Sequence, residues 1–88
     1  MAWKVEVAQS AAKQIAKLDR AAHQRIYRFL VDKIESYPDP RQQGKALQGD
    51  KRGLWRYRVG DYRLICDLQD KRLIVLVLIV GHREDVYR

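Results

Sequence analysis

From Ala2 to Ala8, Trp3, Val5 and Val7 alternate with Lys4 and Glu6, the period of a strand with one buried face. The spacing then lengthens. Ser10 is placed to cap a short helix whose inner stripe is Ala12, Ile15 and Leu18, and that helix ends near Leu18. Asp19 is a second cap, and Ala22, Ile26, Phe29, Leu30 and Ile34 trace one apolar face of a longer helix reaching about Ser36. The two helices follow one another closely enough to form a hairpin. The segment YPDPRQQGKALQGDKRG contains both prolines and reads as a connecting loop, with a helical turn expected around Lys45 to Leu47 and basic side chains, among them Lys45, Lys51 and Arg52, extended toward any ligand.

From Leu54 the period returns to two. Trp55, Tyr57 and Val59 share one side and Leu54, Arg56 and Arg58 the other. Gly60 and Asp61 supply a tight turn, after which Tyr62, Leu64, Cys66 and Leu68 form the apolar side of the next strand, with Arg63, Ile65 and Asp67 opposite. Tyr57 and Tyr62 are thus expected to pack inward. A second turn falls at Asp70 and Lys71. Leu73 to Val80, LIVLVLIV, has no polar side, which places it inside the sheet with both faces covered. The helical hairpin covers one face; a partner protein is a candidate for the other. The order predicts a single α+β domain over residues 1–88: an N-terminal strand, a helical hairpin, then a three-stranded antiparallel meander, the helices packed on one face of the sheet.

Composition adds one strong constraint. Eighteen Lys and Arg against eleven Asp and Glu give a net charge of +7 on 88 residues, which favours a polyanionic partner, nucleic acid or an acidic protein. The single Cys66 cannot close an internal disulfide, and no Cys/His spacing suits a metal, so neither a metal nor another cofactor is expected and a reducing cytoplasm fits. The first ten residues alternate instead of forming an apolar leader, and the longest apolar run is too short to span a bilayer as a helix, so no membrane is expected.

The chemistry concentrates in GLWRYRVGDYRLIC, residues 53–66, where Arg56, Arg58 and Arg63 fall on the sheet side away from Tyr57 and the only acid is Asp61 in the turn. The final strand delivers GHREDVYR, bringing His82, Arg83, Tyr87 and Arg88 toward one end of the same sheet. Several fixed cations and an aromatic on an open sheet face suit a phosphodiester backbone and a stacked base. The same arginines also suit an ordinary polar outer face, where their stems cover apolar surface, although like charges on adjacent strands repel. His82 is the one side chain of this cluster whose residue type suits proton transfer at neutral pH; an exposed histidine beside a loop is the alternative.

In order and spacing, LQG, LWRYRVGDYRLI, LIVLVLIVG and HREDVYR resemble the RelE/ParE superfamily of toxins from bacterial type II toxin-antitoxin modules, over nearly the whole chain. The resemblance to the RelE branch implies a metal-independent endoribonuclease that enters the A site of the 70S ribosome and cuts mRNA by attack of a ribose 2′-hydroxyl on the adjacent phosphate. It also implies inhibition by a cognate acidic, RelB-like antitoxin in a hetero-oligomer. By position it assigns catalytic roles to Arg56, Arg58, Arg63, Arg83 and Tyr87, with Lys45, Lys51, Arg52, His82 and Arg88 as RNA-binding residues. The RelE type has lysines where Arg56 and Arg58 stand. Arginine keeps its proton to a pKa above ~12, so Arg58 is a poor general base. The ParE branch implies instead a DNA gyrase inhibitor that acts by protein binding, and a member that has lost toxicity would persist as a binding partner.

Overall fold

A computed structural model describes residues 3–82. Strand β1 (Lys4–Val7) is followed by helix α1 (Gln9–Ala16) and helix α2 (Arg20–Phe29), whose winding widens to π-helical turns over Leu30–Glu35. Strands β2 (Lys45–Ala46), β3 (Trp55–Val59), β4 (Tyr62–Gln69) and β5 (Ile74–His82) complete a five-stranded sheet in the order β1-β5-β4-β3-β2. The three-stranded meander is antiparallel, and β1 joins β5 in parallel, a pairing that needs the helical crossover between them. The expected α+β arrangement, with the helices on one face, is the observed one. β5 lies inside the sheet, as its two-sided apolar run requires.

The core forms where Ala11, Ile15, Ile26, Leu30 and Ile34 of the helices meet Tyr57, Val59, Leu64, Cys66, Val75, Val77 and Val80 of the sheet. α1 presents Ala11 and Ile15, four residues apart, and turns Ala12 outward. The expectation of Ala12 on the inner stripe is thereby corrected, because the 3.6-residue period runs back from Ile15 to Ala11. Ser10 is likewise no cap. The helix begins at Gln9, and the Ser10 hydroxyl donates to the Leu78 carbonyl at 3.2 Å. Asp19 does cap α2, its Oδ1 accepting from the Ala22 amide at 2.8 Å.

Helical side chains finish the sheet's hydrogen bonding where strands stop. β1 pairs with β5 only as far as Val77. Beyond that point α1 takes over, Ser10 engaging Leu78 and Gln14 Oε1 accepting from the Val80 amide at 2.7 Å. On the far edge of β1, Glu35 Oε2 accepts from the Val5 amide at 2.8 Å. Buried or half-buried backbone groups are thus paired where no strand reaches them.

The connecting loop is more ordered than its composition suggests. Lys45 and Ala46 form a strand against Arg56 and Trp55, not a helical turn, and short 3-10 turns flank them at Pro40–Gln43 and Gly49–Lys51. Gly44 lets this strand approach, since a Cβ there would lie 2.7 Å from the Tyr57 ring and 2.9 Å from the Arg56 carbonyl oxygen. Arg41 is not extended toward a ligand. Its guanidinium donates to Asp70 at 2.8 Å, lies 3.7 Å from Asp39, and sits 5.9 Å and 5.6 Å from the ring centroids of Trp3 and Trp55. One cation therefore fastens the loop to β1, β3 and the turn after β4.

Tyr57 is fully buried, and its phenol donates to the Pro40 carbonyl at 2.7 Å. Burial pushes both the Tyr57 phenol and the Cys66 thiol well above their ordinary pKa values. In the unfolded chain these groups ionise near ~8.5 for Cys and ~10 for Tyr, whereas the folded chain holds them neutral to higher pH. Their contribution is therefore complete below those values and is lost as pH rises, by about 1.4 kcal/mol per group for each pH unit. Urea titrations should show stability falling from about pH 9 upward. Tyr57→Phe should cost about 1–2 kcal/mol at pH 7 through the orphaned Pro40 carbonyl, and should flatten the decline above about pH 10.

Candidate nucleic-acid interface

The register of the β3–β4 hairpin decides which side chains meet. Arg56 pairs with Ile65, Tyr57 with Leu64, and Arg58 with Arg63. Because neighbours alternate between faces, Tyr57 and Leu64 enter the core while Arg56, Arg58, Arg63 and Ile65 share the outer face, away from the helices. β2 adds Lys45 directly beside Arg56. Across β4, Ile65 faces Ile79 and Arg63 faces Gly81, where no side chain competes for space. The outer face is thus a basic row, Lys45, Arg56, Arg58 and Arg63, bordering an apolar floor of Ile65 and Ile79.

These cations differ in exposure. Arg58 is exposed and Arg56 half-buried, whereas Arg63 keeps only 6% of its surface. The Arg63 Nη1 donates to the Tyr62 carbonyl at 3.1 Å and the Gly60 carbonyl at 3.3 Å, so its guanidinium folds back over the hairpin turn. The turn itself depends on Gly60, whose φ of 61° is a left-handed conformation that costs a β-carbon dearly. Arg58 directly opposite Arg63 is a like-charge pair, tolerable because one partner is anchored on carbonyl oxygens.

Two clefts open on either side of Arg58. One, of about 230 Å³, is lined by Gln42, Gln43, Gly44, Lys45, Arg56 and Arg58. The other, of about 310 Å³, lies between β3 and α2 and brings in Arg25, Arg28 and Lys33. Sequence reasoning missed the second wall. Its signal was present in RAAHQRIYRF, where Arg25 and Arg28 stand three apart, but a basic helix face next to an apolar stripe reads as ordinary solvent exposure.

Other candidate residues fall elsewhere. Lys51 and Arg52 close the β2–β3 connection, at the opposite end of β3 from Arg58. His82 pairs with Tyr62, on the helix side of the sheet, with ring centroids 6.0 Å apart. It does not join the arginine row. A bulge between Ile65 and Cys66 of β4 sets Cys66 against Val77 and Ile65 against Ile79, so Leu78 is the extra residue and every β5 position after it changes face. Arg83, Tyr87 and Arg88 lie outside the described residues. Among the described residues no group of His, Cys, Asp and Glu could hold a metal ion, and no helix is long and apolar enough to cross a membrane.

This sheet, with its helical hairpin on one side and a basic row on the other, matches known proteins along nearly all its length. Residues 5–87 match the family described as ParE toxin of type II toxin-antitoxin system, parDE. The chain therefore belongs to that toxin family, within the RelE/ParE superfamily. It is 28% identical to Toxin RelG of Mycobacterium tuberculosis over 88 residues, covering all of this chain and 99% of that one. The toxin-antitoxin complex RelBE2 from M. tuberculosis contains a chain of the same fold, at a TM-score of 0.86 and 25% identity, covering 94% of this chain and 100% of that one. The archaeal RelE-RelB complex from Pyrococcus horikoshii gives a TM-score of 0.72 at 28% identity, covering 97% and 99%.

The two roles in the row separate by stability. Arg63→Ala strips a buried guanidinium from two turn carbonyls and should cost about 1–3 kcal/mol. Arg58→Gln removes an exposed charge facing a like charge and should leave stability within about 0.5 kcal/mol or raise it slightly. Thermal melts of the two variants check this. Equal losses would place Arg58, too, in the hairpin's framework.

Proposed function

We propose that this toxin is an endoribonuclease that cuts mRNA in the A site of the translating 70S ribosome, in the cytoplasm, and that a cognate acidic antitoxin neutralises it. The observation that carries the reading is the hairpin register, which gathers Lys45, Arg56, Arg58 and Arg63 on one face. In the proposed reaction the ribose 2′-oxygen attacks the adjacent phosphorus and the bond to the 5′-oxygen breaks. A 2′,3′-cyclic phosphate and a 5′-hydroxyl result, the 2′-proton passing in net terms to the departing oxygen. The nucleophile is the RNA's own, so no step is assigned to a metal.

The transition state gathers negative charge on the phosphorane oxygens, where fixed guanidiniums stabilise it. Arg56 takes this role, with Arg58 beside the 2′-hydroxyl as an electrostatic aid. Arg63, bonded to the turn, positions the row and adds its field. Arg83 is assigned to the departing oxygen and Tyr87 to stacking on a base. Neither Arg56 nor Arg58 is suited to accept a proton, so ribosomal alignment of the attacking and leaving oxygens supplies what a strong base would otherwise provide. RNA off the ribosome should be cut slowly.

The matched structures from M. tuberculosis and P. horikoshii are toxin-antitoxin complexes, which supports a hetero-oligomer here. Leu76 and Ile79 of β5 are half-buried on the outer face, and Glu6 and Asp67 flank Leu76 there. An antitoxin segment lying over this stripe would also screen the arginines.

A second reading has its own support. The matched family bears the ParE name, and arginines stand at positions where the RelE type has lysines. Under it the same face would bind DNA gyrase without cutting RNA. Primer extension on translating ribosomes discriminates. With wild type, new 5′ ends should map to A-site codons, and Arg56→Ala should slow their appearance by about a hundred- to a thousandfold. Growth arrest with DNA damage and intact messages would instead establish the gyrase reading.

A further inference from the structure

The basic surface does not end at the sheet. Arg58 lines both clefts, so the one over β2 and β3 and the one along α2 lie next to each other on either side of its side chain. In the second, Arg25 and Arg28 form the facing wall. Arg25 is laid over the hairpin turn: a β-carbon at Gly60 would lie 2.6 Å from its Nη1. The tip of this helix-borne guanidinium thus rests against the Gly60 backbone, at the turn whose left-handed φ calls for glycine.

Arg41 is paired with Asp39 and Asp70, whereas among the described residues Arg25, Arg28 and Arg58 make no ion pair. Asp32 lines the cleft one helical turn from Arg28, the spacing at which such a pair ordinarily forms, yet no pair forms. Phe29 and Val59 supply the apolar part of the wall. Three guanidiniums around a partly apolar cleft, with no acid closing on them, repel one another until an anion arrives.

We infer that Arg25 and Arg28 of α2 extend the outer-face row around the hairpin into one track for the phosphate backbone of a single RNA strand. Its middle contact is Arg58, shared by both halves. The inference rests on the proposed RNA-binding reading of the outer face. An RNA strand fits better than an acidic peptide because every nucleotide carries a phosphate, so one strand meets Lys45, Arg56, Arg58, Arg25 and Arg28 in turn. A peptide would need acids at nearly every matching position. Planar guanidiniums also grip phosphate oxygens two at a time. Arg25 and Arg28 bind the strand and take no part in bond breaking, which is left to the sheet end of the track.

The test uses the full-length chain and 2′-O-methyl oligouridylate, which presents the backbone but cannot be cleaved. Strands of about 20 and about 4 nucleotides are titrated by fluorescence anisotropy across salt concentrations, and thermal melts verify folding. Each single-strand phosphate contact contributes about 0.7 to the slope of log affinity against log salt. Arg25→Gln/Arg28→Gln should therefore reduce the slope for the long strand by about 1.4 and weaken its binding about tenfold near 0.15 M salt, leaving the short strand unchanged. Arg25→Lys/Arg28→Lys, which keeps both charges, should retain the wild-type slope, separating charge from helix packing.

An unchanged slope for the long strand in the glutamine variant overturns the track. So does an oligoglutamate of matched length that binds more tightly than the RNA with the same dependence on Arg25 and Arg28, which would make the cleft a protein site. If wild type binds the long strand through Arg25 and Arg28 but cuts nothing on ribosomes, the track stands and the nuclease reading falls. Cleavage with no Arg25 or Arg28 dependence of binding leaves the nuclease and removes the track.

Discussion

The register of the β3–β4 hairpin is the constraint on which the rest depends. A slip of β3 by one residue against β4 would send Arg56 and Arg58 into the core and bring Tyr57 out. Three local features hold the register. Gly60 adopts the turn conformation other residues resist, Arg63 clamps the turn's carbonyls, and the Tyr57 phenol is anchored on Pro40 at the far side of the connecting loop. Burial of Tyr57 and the adjoining core then makes any alternative pairing expensive. The charged face is a consequence of how well its opposite face packs.

That arrangement reconciles two requirements. Packing the helical hairpin against the sheet supplies the stability, with one face of β3 and β4 committed to it. The other face is left to carry like charges side by side, a cost of the kind found where structure serves binding instead of folding. Arg58 illustrates the division: it is exposed, pairs across the ladder with another arginine, and borders two clefts. Arg41, the same residue type, does the opposite work. Two aspartates and two indoles hold it, and it closes the loop onto the sheet.

The period of two in β3 and β4 and the apolar stripe of α2 were legible in the sequence, and with them the face on which Arg56, Arg58 and Arg63 lie. Other features were not. A two-residue strand has no period, so Lys45–Ala46 could not be told from a turn. β5 is apolar on both sides, so alternation could not reveal that a bulge at Leu78 reverses the faces and carries His82 to the helix side. Arg41 lost its apparent liberty to Asp70, twenty-nine residues away, a contact no local pattern encodes. Arg25 and Arg28 gained significance only when the fold set them against the Gly60 turn.

The central claim is that RNA meets the outer face of the hairpin and not the helices' far side or the β1 edge. Side-chain Nε–Hε resonances of the arginines, followed by NMR while an uncleavable 2′-O-methyl RNA is added, test it directly. The account predicts the largest shifts at Arg56 and Arg58, with Arg41 and the core amides around Tyr57 and Cys66 nearly still. Shifts centred on Arg41 or on the residues flanking β1, with Arg56 and Arg58 unmoved, would contradict it.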